Sequence, residues 1–126
     1  MSEEKKPCAC ASAPKLIFSC SGAADVGELC DHAARALTRE GVGKMYCLAG
    51  VGGGVEGILA NTRAAAKIVA LDGCALDCAR NTLEKAGMEN VAHLRISDAG
   101  FAKGASPATE ENLNRLLELA RPLLEC

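Results

Sequence analysis

The sequence predicts a small α/β protein: a Rossmann/flavodoxin-like three-layer sandwich around a four-stranded, mostly parallel sheet in the order 2-1-3-4. Three observations lead there. Short apolar runs alternate with helix-length amphipathic stretches four times along the chain, which is the pattern of strands joined by crossover helices. Such crossovers are right-handed and place helices on both faces of the sheet. The chain has 126 residues, 49% apolar and 24% charged, a length and composition suited to one globular domain.

Taken in order, residues 1–14 are charged, then small, and carry Pro7 and Pro14, so they read as a flexible leader to a single domain over 15–126. Leu16-Ile17-Phe18 is the first buried strand, closed by the turn residues Ser19-Cys20-Ser21-Gly22. Asp25 and Glu28 suggest a capping box for the first helix, with Leu29, Ala33, Ala36 and Leu37 on one face and Gly41 as its stop. The second strand is expected over Lys44–Leu48, followed by a loop with Gly50, Gly52, Gly53 and Gly54. A helix through Val55, Ile58, Leu59 and Thr62 comes next. Lys67–Leu71 is the third strand and ends at Asp72-Gly73-Cys74. Its helix is expected to turn Leu76, Ala79 and Leu83 inward, with Gly87 after it. The fourth strand runs from about Val91 to Ile96. The last helix starts near Thr109, buries Leu113, Leu116, Leu117 and Ala120, and kinks or ends at Pro122.

Composition excludes several functions. With two Phe, one Tyr and no Trp, the chain lacks the aromatic platform on which single-stranded nucleic acids stack. A net charge of −2 offers no basic footprint for phosphate backbones. No apolar run is long enough to cross a bilayer, and the charged start Ser2–Lys6 does not read as a secretory signal. A cytoplasmic location is therefore expected, where eight cysteines suit metal ligation or thiol chemistry better than disulfides.

Position sorts those cysteines. Cys20, Cys47 and Cys74 fall at or near the ends of the first three predicted strands. In an open parallel sheet that edge is where ligands bind, beside the reversal of strand order. Cys78 follows Cys74 by one helical turn and so shares its face. Four thiols at one edge are the donor set of a tetrahedral zinc site, and a helix N-terminus there favours anions. Cys30 reads as a packing residue of the first helix. Cys8 and Cys10 lie in the leader, and Cys126 ends the chain.

Other motifs weigh less. Gly52-x-Gly54-x-x-Gly57, with Asp72 twenty residues after Gly52, fits a dinucleotide fingerprint. Glycines in succession match that pattern easily, and the loop follows the second strand. His32 and His93 read as packing or surface residues. Asp72 and Asp98 read first as turn residues, and Asp25 and Asp77 as helix-start residues.

Three segments together, Phe18–Gly27, Gly43–Gly53 and Ala70–Arg80, resemble the DGC family of small prokaryotic proteins, named for the motif seen here as Asp72-Gly73-Cys74. The resemblance spans roughly residues 15–104. It implies zinc binding through four cysteines, which map onto Cys20, Cys47, Cys74 and Cys78, with Ala75 where proline often follows the motif. The resemblance implies no reaction. A closed four-thiolate site is structural or regulatory, and a site with an open position is catalytic. A thiol redox or sulfur-transfer enzyme using Cys74 or Cys78, an iron–sulfur protein and a pure interaction module are the alternatives.

Overall fold

In the computed structural model, residues 13–125 are described. The leader cysteines Cys8 and Cys10, and Cys126, lie outside them. The elements are β1 (Lys15–Ser19), α1 (Asp25–Glu40), β2 (Lys44–Met45), α2 (Leu48–Gly52), α3 (Glu56–Arg63), β3 (Lys67–Asp72), α4 (Cys78–Lys85), β4 (Val91–Arg95) and α5 (Glu110–Ala120). Short 3-10 turns cover Ile96–Ala99 and Arg121–Leu124. All strand pairs are parallel, in the expected order β2-β1-β3-β4.

The period-two alternation of the central strands divides the core in two. Ile17, Val69 and Leu71 point to the face covered by α1 and α5, where they meet Leu29, Ala33, Leu37, Leu116 and Ala120. Leu16, Phe18, Ile68 and Ala70 point the other way, toward Val51 of α2 and Ala79 and Leu83 of α4. Both faces of β1 and β3 are thus buried, which is why these strands read as unbroken apolar runs. Gly41 ends α1 in the left-handed conformation at φ 81°, its N–H bonded to the Leu37 and Thr38 carbonyls.

Five local expectations change. The second strand is short. Its pairing ends when the Tyr46 N–H reaches the Ile17 carbonyl, and Cys47 caps α2 by accepting the Gly50 N–H at its Sγ, 3.3 Å. The chain leaves the sheet because a capped helical turn satisfies its backbone where an edge strand has a neighbour on one side only. The single helix expected after the glycine loop is therefore two, α2 and α3. The fingerprint glycines straddle the break, Gly52 inside α2 and Gly57 inside α3, in place of a loop leading straight from strand to helix.

The third expected helix begins later than its apolar pattern suggested. Leu76 precedes α4 and is 65% exposed, whereas Ala79 and Leu83 are fully buried. Asp25 does not cap α1 in the expected box. The N-cap position is Ala24, without a side-chain cap, and the Asp25 carboxylate instead binds the N–H groups of Val26, Gly104 and Ser106. Thr109 does cap α5, at the Asn112 N–H. Within α5 Leu113 is partly buried, not buried like Leu116 and Leu117.

This difference between two leucines seven residues apart is measurable. Leu83→Ala should cost about 2–5 kcal/mol of unfolding free energy, the range for emptying a core site. Leu76→Ala should stay within about 0.5 kcal/mol, as for surface changes. Urea unfolding followed by circular dichroism distinguishes the two.

Candidate metal centre

The C-terminal edge of the sheet is organised by one carboxylate. Asp72, the last residue of β3, is 1% exposed. Its Oδ1 accepts the Ala79 N–H at 2.7 Å and its Oδ2 the Arg80 N–H at 3.1 Å. Two otherwise unpaired amides of the first turn of α4 are thereby satisfied by a strand-end carboxylate, with the negative charge at the positive end of the helix. His93 of β4 completes the set, its Nε2 2.9 Å from Asp72 Oδ2. The three strictly local elements β3, α4 and β4 are thus joined through one side chain.

Asp77 forms the second half of this network. It is buried and left-handed at φ 52°. The Arg95 guanidinium grips it through Nε at 2.8 Å and Nη2 at 2.5 Å. That bidentate pair holds the Asp77 carboxyl below the usual Asp range, the hydrogen bond from Arg95 being the largest cause. Arg95 also reaches Asp98 at 3.3 Å. Asp72, Asp77 and His93 form the one group of three ligand-type atoms within 4.8 Å of one another among the described residues, but each already has a protein partner. His93, expected as a packing or surface residue, is therefore a working part of the edge, and His32 stands apart from it, near Glu28 on α1.

Gly73 shows why the motif needs glycine. A Cβ there would lie 2.8 Å from Val26 Cγ2 and 2.9 Å from the Val26 carbonyl carbon, so α1 passes against bare backbone.

Cys20 follows β1, and its N–H continues the sheet to the Leu71 carbonyl at 3.0 Å. Its sulfur has three hydrogen-bonding neighbours: the Cys30 thiol and the amides of Gly22 and Gly73. Led by the Cys30 contact, they lower the Cys20 pKa to about 6, against the opposing effects of burial and the Asp72 charge. Cys30 moves the opposite way. It is 0% exposed, and the Cys20 sulfur together with burial raises its pKa far above the ordinary thiol value. The surroundings thus favour the anion at Cys20 and the protonated thiol at Cys30. Sequence reasoning assigned Cys30 to packing; its contact with Cys20 spans ten residues and needed the α1–sheet docking to become visible.

The other predicted ligands surround this point without meeting it. Cys47 is exposed at the start of α2, Cys78 is exposed as the first residue of α4, and Cys74 is partly buried between Gly73 and the turn to Asp77. Cys20 and Cys47 open onto one cavity of about 970 Å³. Thr82 lines it as well, its hydroxyl bonded to the Cys78 carbonyl. Among the described residues no three cysteine sulfurs lie within 4.8 Å of one another. The donors fit zinc in kind, cysteine sulfurs from three segments at one edge.

An all-parallel sheet with thiols and a buried carboxylate at its C-terminal edge defines a class of small α/β proteins built around a cysteine-bearing edge. The chain belongs to the DGC-domain family: the DGC domain matches residues 16–119. It is also similar to the anaerobic and virulence modulator AnvM of Pseudomonas aeruginosa, 36% identical over 88 residues, covering 70% of this chain and 67% of AnvM. No solved structure matches it.

Two predictions follow from the Asp72–Asp77 network. Asp72→Asn leaves one oxygen where two are used, and should lower unfolding free energy by about 1–3 kcal/mol, the cost of an unsatisfied buried group. Its urea midpoint should fall with the slope unchanged. Asp77 and Asp25 both have lowered folded pKa values, the latter mainly through the Gly104 N–H. Their contribution is thus fully present above the unfolded Asp value of about 3.9 and is lost as pH falls through the lower folded values. Acid titration by circular dichroism should show stability falling below about pH 4, and less steeply in Asp77→Asn.

Proposed function

We propose that this protein binds zinc through Cys20, Cys47, Cys74 and Cys78 and that the bound metal serves a structural or regulatory role. The observation that carries the reading is Cys20: a strand-end sulfur facing the same cavity as Cys47, its pKa lowered by the Cys30 thiol and the Gly22 and Gly73 amides. Thiolate is the form that binds metal. Membership of the DGC family supports the ligand set. The name of its AnvM relative, a modulator, favours a regulatory part over a purely structural one.

Zinc would supply charge neutralisation and a cross-link between the β1, β2 and β3 edge segments, so loading would couple to stability. The chain's own residues prepare the edge. Asp72 fixes the start of α4, Gly73 admits α1, and Arg95 locks the turn that presents Cys78. No helix of the described residues is long and apolar enough to cross a membrane, and a reducing cytoplasm would keep these thiols available. The proposed partner is the metal ion, with no nucleic acid or membrane.

Elemental analysis after native purification tests the reading. About one zinc per chain is expected, lost in Cys20→Ser, Cys47→Ser, Cys74→Ser and Cys78→Ser, and kept in Cys30→Ser. Zinc far below that level with all thiols freely titratable would overturn it. Brown protein holding iron and sulfide would assign the same thiols to a cluster instead.

A further inference from the structure

We propose that the cavity beside β1 and β2 binds a small organic monocarboxylate with an apolar body, and that Arg39 takes the carboxylate. The cavity measures about 970 Å³, at the upper end of the range for small-molecule sites. That is far more room than a bare inorganic anion needs. Met45, Tyr46 and Leu48 supply an apolar lining on the β2 side. The Tyr46 ring is fixed there, edge-on to Phe18 with centroids 6.1 Å apart, and its hydroxyl accepts the Asn61 side-chain amide at 2.8 Å. A held ring is a surface that an apolar body can pack on at little entropic cost.

The α1 side indicates the ligand's charge. Asp31, Arg35 and Arg39 all line the cavity, spaced by one helical turn and so on one face. Arg35 is committed to Asp31 at 2.6 Å, and Asp31 also accepts the Ser21 hydroxyl at 2.7 Å. Arg39 forms no ion pair among the described residues. Two guanidinium charges against one carboxylate leave a single positive charge on this wall. A monoanion matches it, and the planar fork of a guanidinium matches a carboxylate in shape. A dianion such as a phosphate monoester would bring a second, uncompensated charge toward Asp31.

A buried hydroxyl gives independent support. Ser19 lines the same cavity and is 3% exposed. Its Oγ accepts the Ser21 N–H at 3.0 Å, and its own proton has no acceptor among the described residues. The Thr38 hydroxyl, by contrast, is fully used, donating to the Ala34 carbonyl and accepting the Met45 N–H. Buried donors are ordinarily satisfied, so Ser19 marks a place where an incoming acceptor completes the wall. Neither Arg39 nor Ser19 is a proposed metal ligand, and the inference stands apart from the zinc reading.

The test titrates the full chain, as purified and after chelation, with benzoate, its neutral counterpart benzamide and the dianion phenyl phosphate, followed by amide NMR. Benzoate should give saturable shifts at the Ser19, Arg39, Met45 and Leu48 amides in both preparations, and should bind more tightly than either of the others. Arg39→Ala, a change at an exposed position, should weaken benzoate by roughly two- to five-fold, the weight of one exposed ion pair. It should leave benzamide unchanged. No saturable shift at these amides would overturn the site. Equal weakening of benzoate and benzamide, or tighter binding of phenyl phosphate, would overturn the monocarboxylate assignment. Benzoate binding that vanishes on chelation and ignores Arg39→Ala would assign the carboxylate to a metal and overturn the role of Arg39. Zinc content is measured before titration, so metal-free protein that still binds benzoate ends the zinc reading and keeps this one.

Discussion

The Asp72 carboxylate is the joint on which the functional edge depends. A parallel sheet leaves the ends of its strands unconnected, and something must fix how the following loops leave it. Here a buried charge does so by accepting two amides of α4 and meeting the ring of His93 in β4. Burying a carboxylate is costly unless it is fully hydrogen-bonded, so the arrangement has few alternatives: shifting α4 by one residue would strand the charge. The loop from Cys74 to Cys78 is pinned at its far end by this joint and at Asp77 by Arg95. Gly73 sets its near end, because only bare backbone lets Val26 approach. The three letters of Asp-Gly-Cys thus have separate physical duties: charge, closeness and sulfur.

The edge then sorts its cysteines by environment. Cys20 receives backbone amides and a thiol, which favour its anion. Cys30 lies in the apolar layer between α1 and the sheet, where an anion is disfavoured. Cys47 and Cys78 start helices in solvent. A set of chemically identical residues therefore presents a sulfur whose surroundings favour its anion, a buried thiol and two accessible cysteines. Cys20 is reachable through the cavity beside β1 and β2.

Much of this was legible in the chain. The helical faces with Leu29, Ala33 and Leu37 or with Leu116 and Leu117, and the helix ends at Gly41 and Thr109, follow from periodicity and local capping, because nearest neighbours in sequence decide them, and the sheet order follows from the alternation of strands and helices. Cys47 illustrates the limit. Tyr46-Cys47-Leu48 has a strand's composition, yet the Gly50 amide turns it into a helix start. Leu76 shows the same limit on the helical side: its spacing matches Leu83, but the cap formed by Asp72 begins α4 beyond it.

By itself, then, the sequence determined that this is a parallel α/β domain, that it belongs among DGC proteins, and that Cys20 and Cys74 stand at strand ends. These depend on hydrophobic pattern and on short motifs, both local. Only the tertiary structure decided that Cys20 packs against the core layer that holds Cys30, that His93 and Arg95 serve the carboxylates of Asp72 and Asp77, and that Arg39 shares a cavity with Cys20. Each of these is a contact between residues far apart in the chain, made by packing α1 or β4 against β1 and β3. No local periodicity encodes which distant polar group a buried charge or thiol will meet; that follows from how the layers dock.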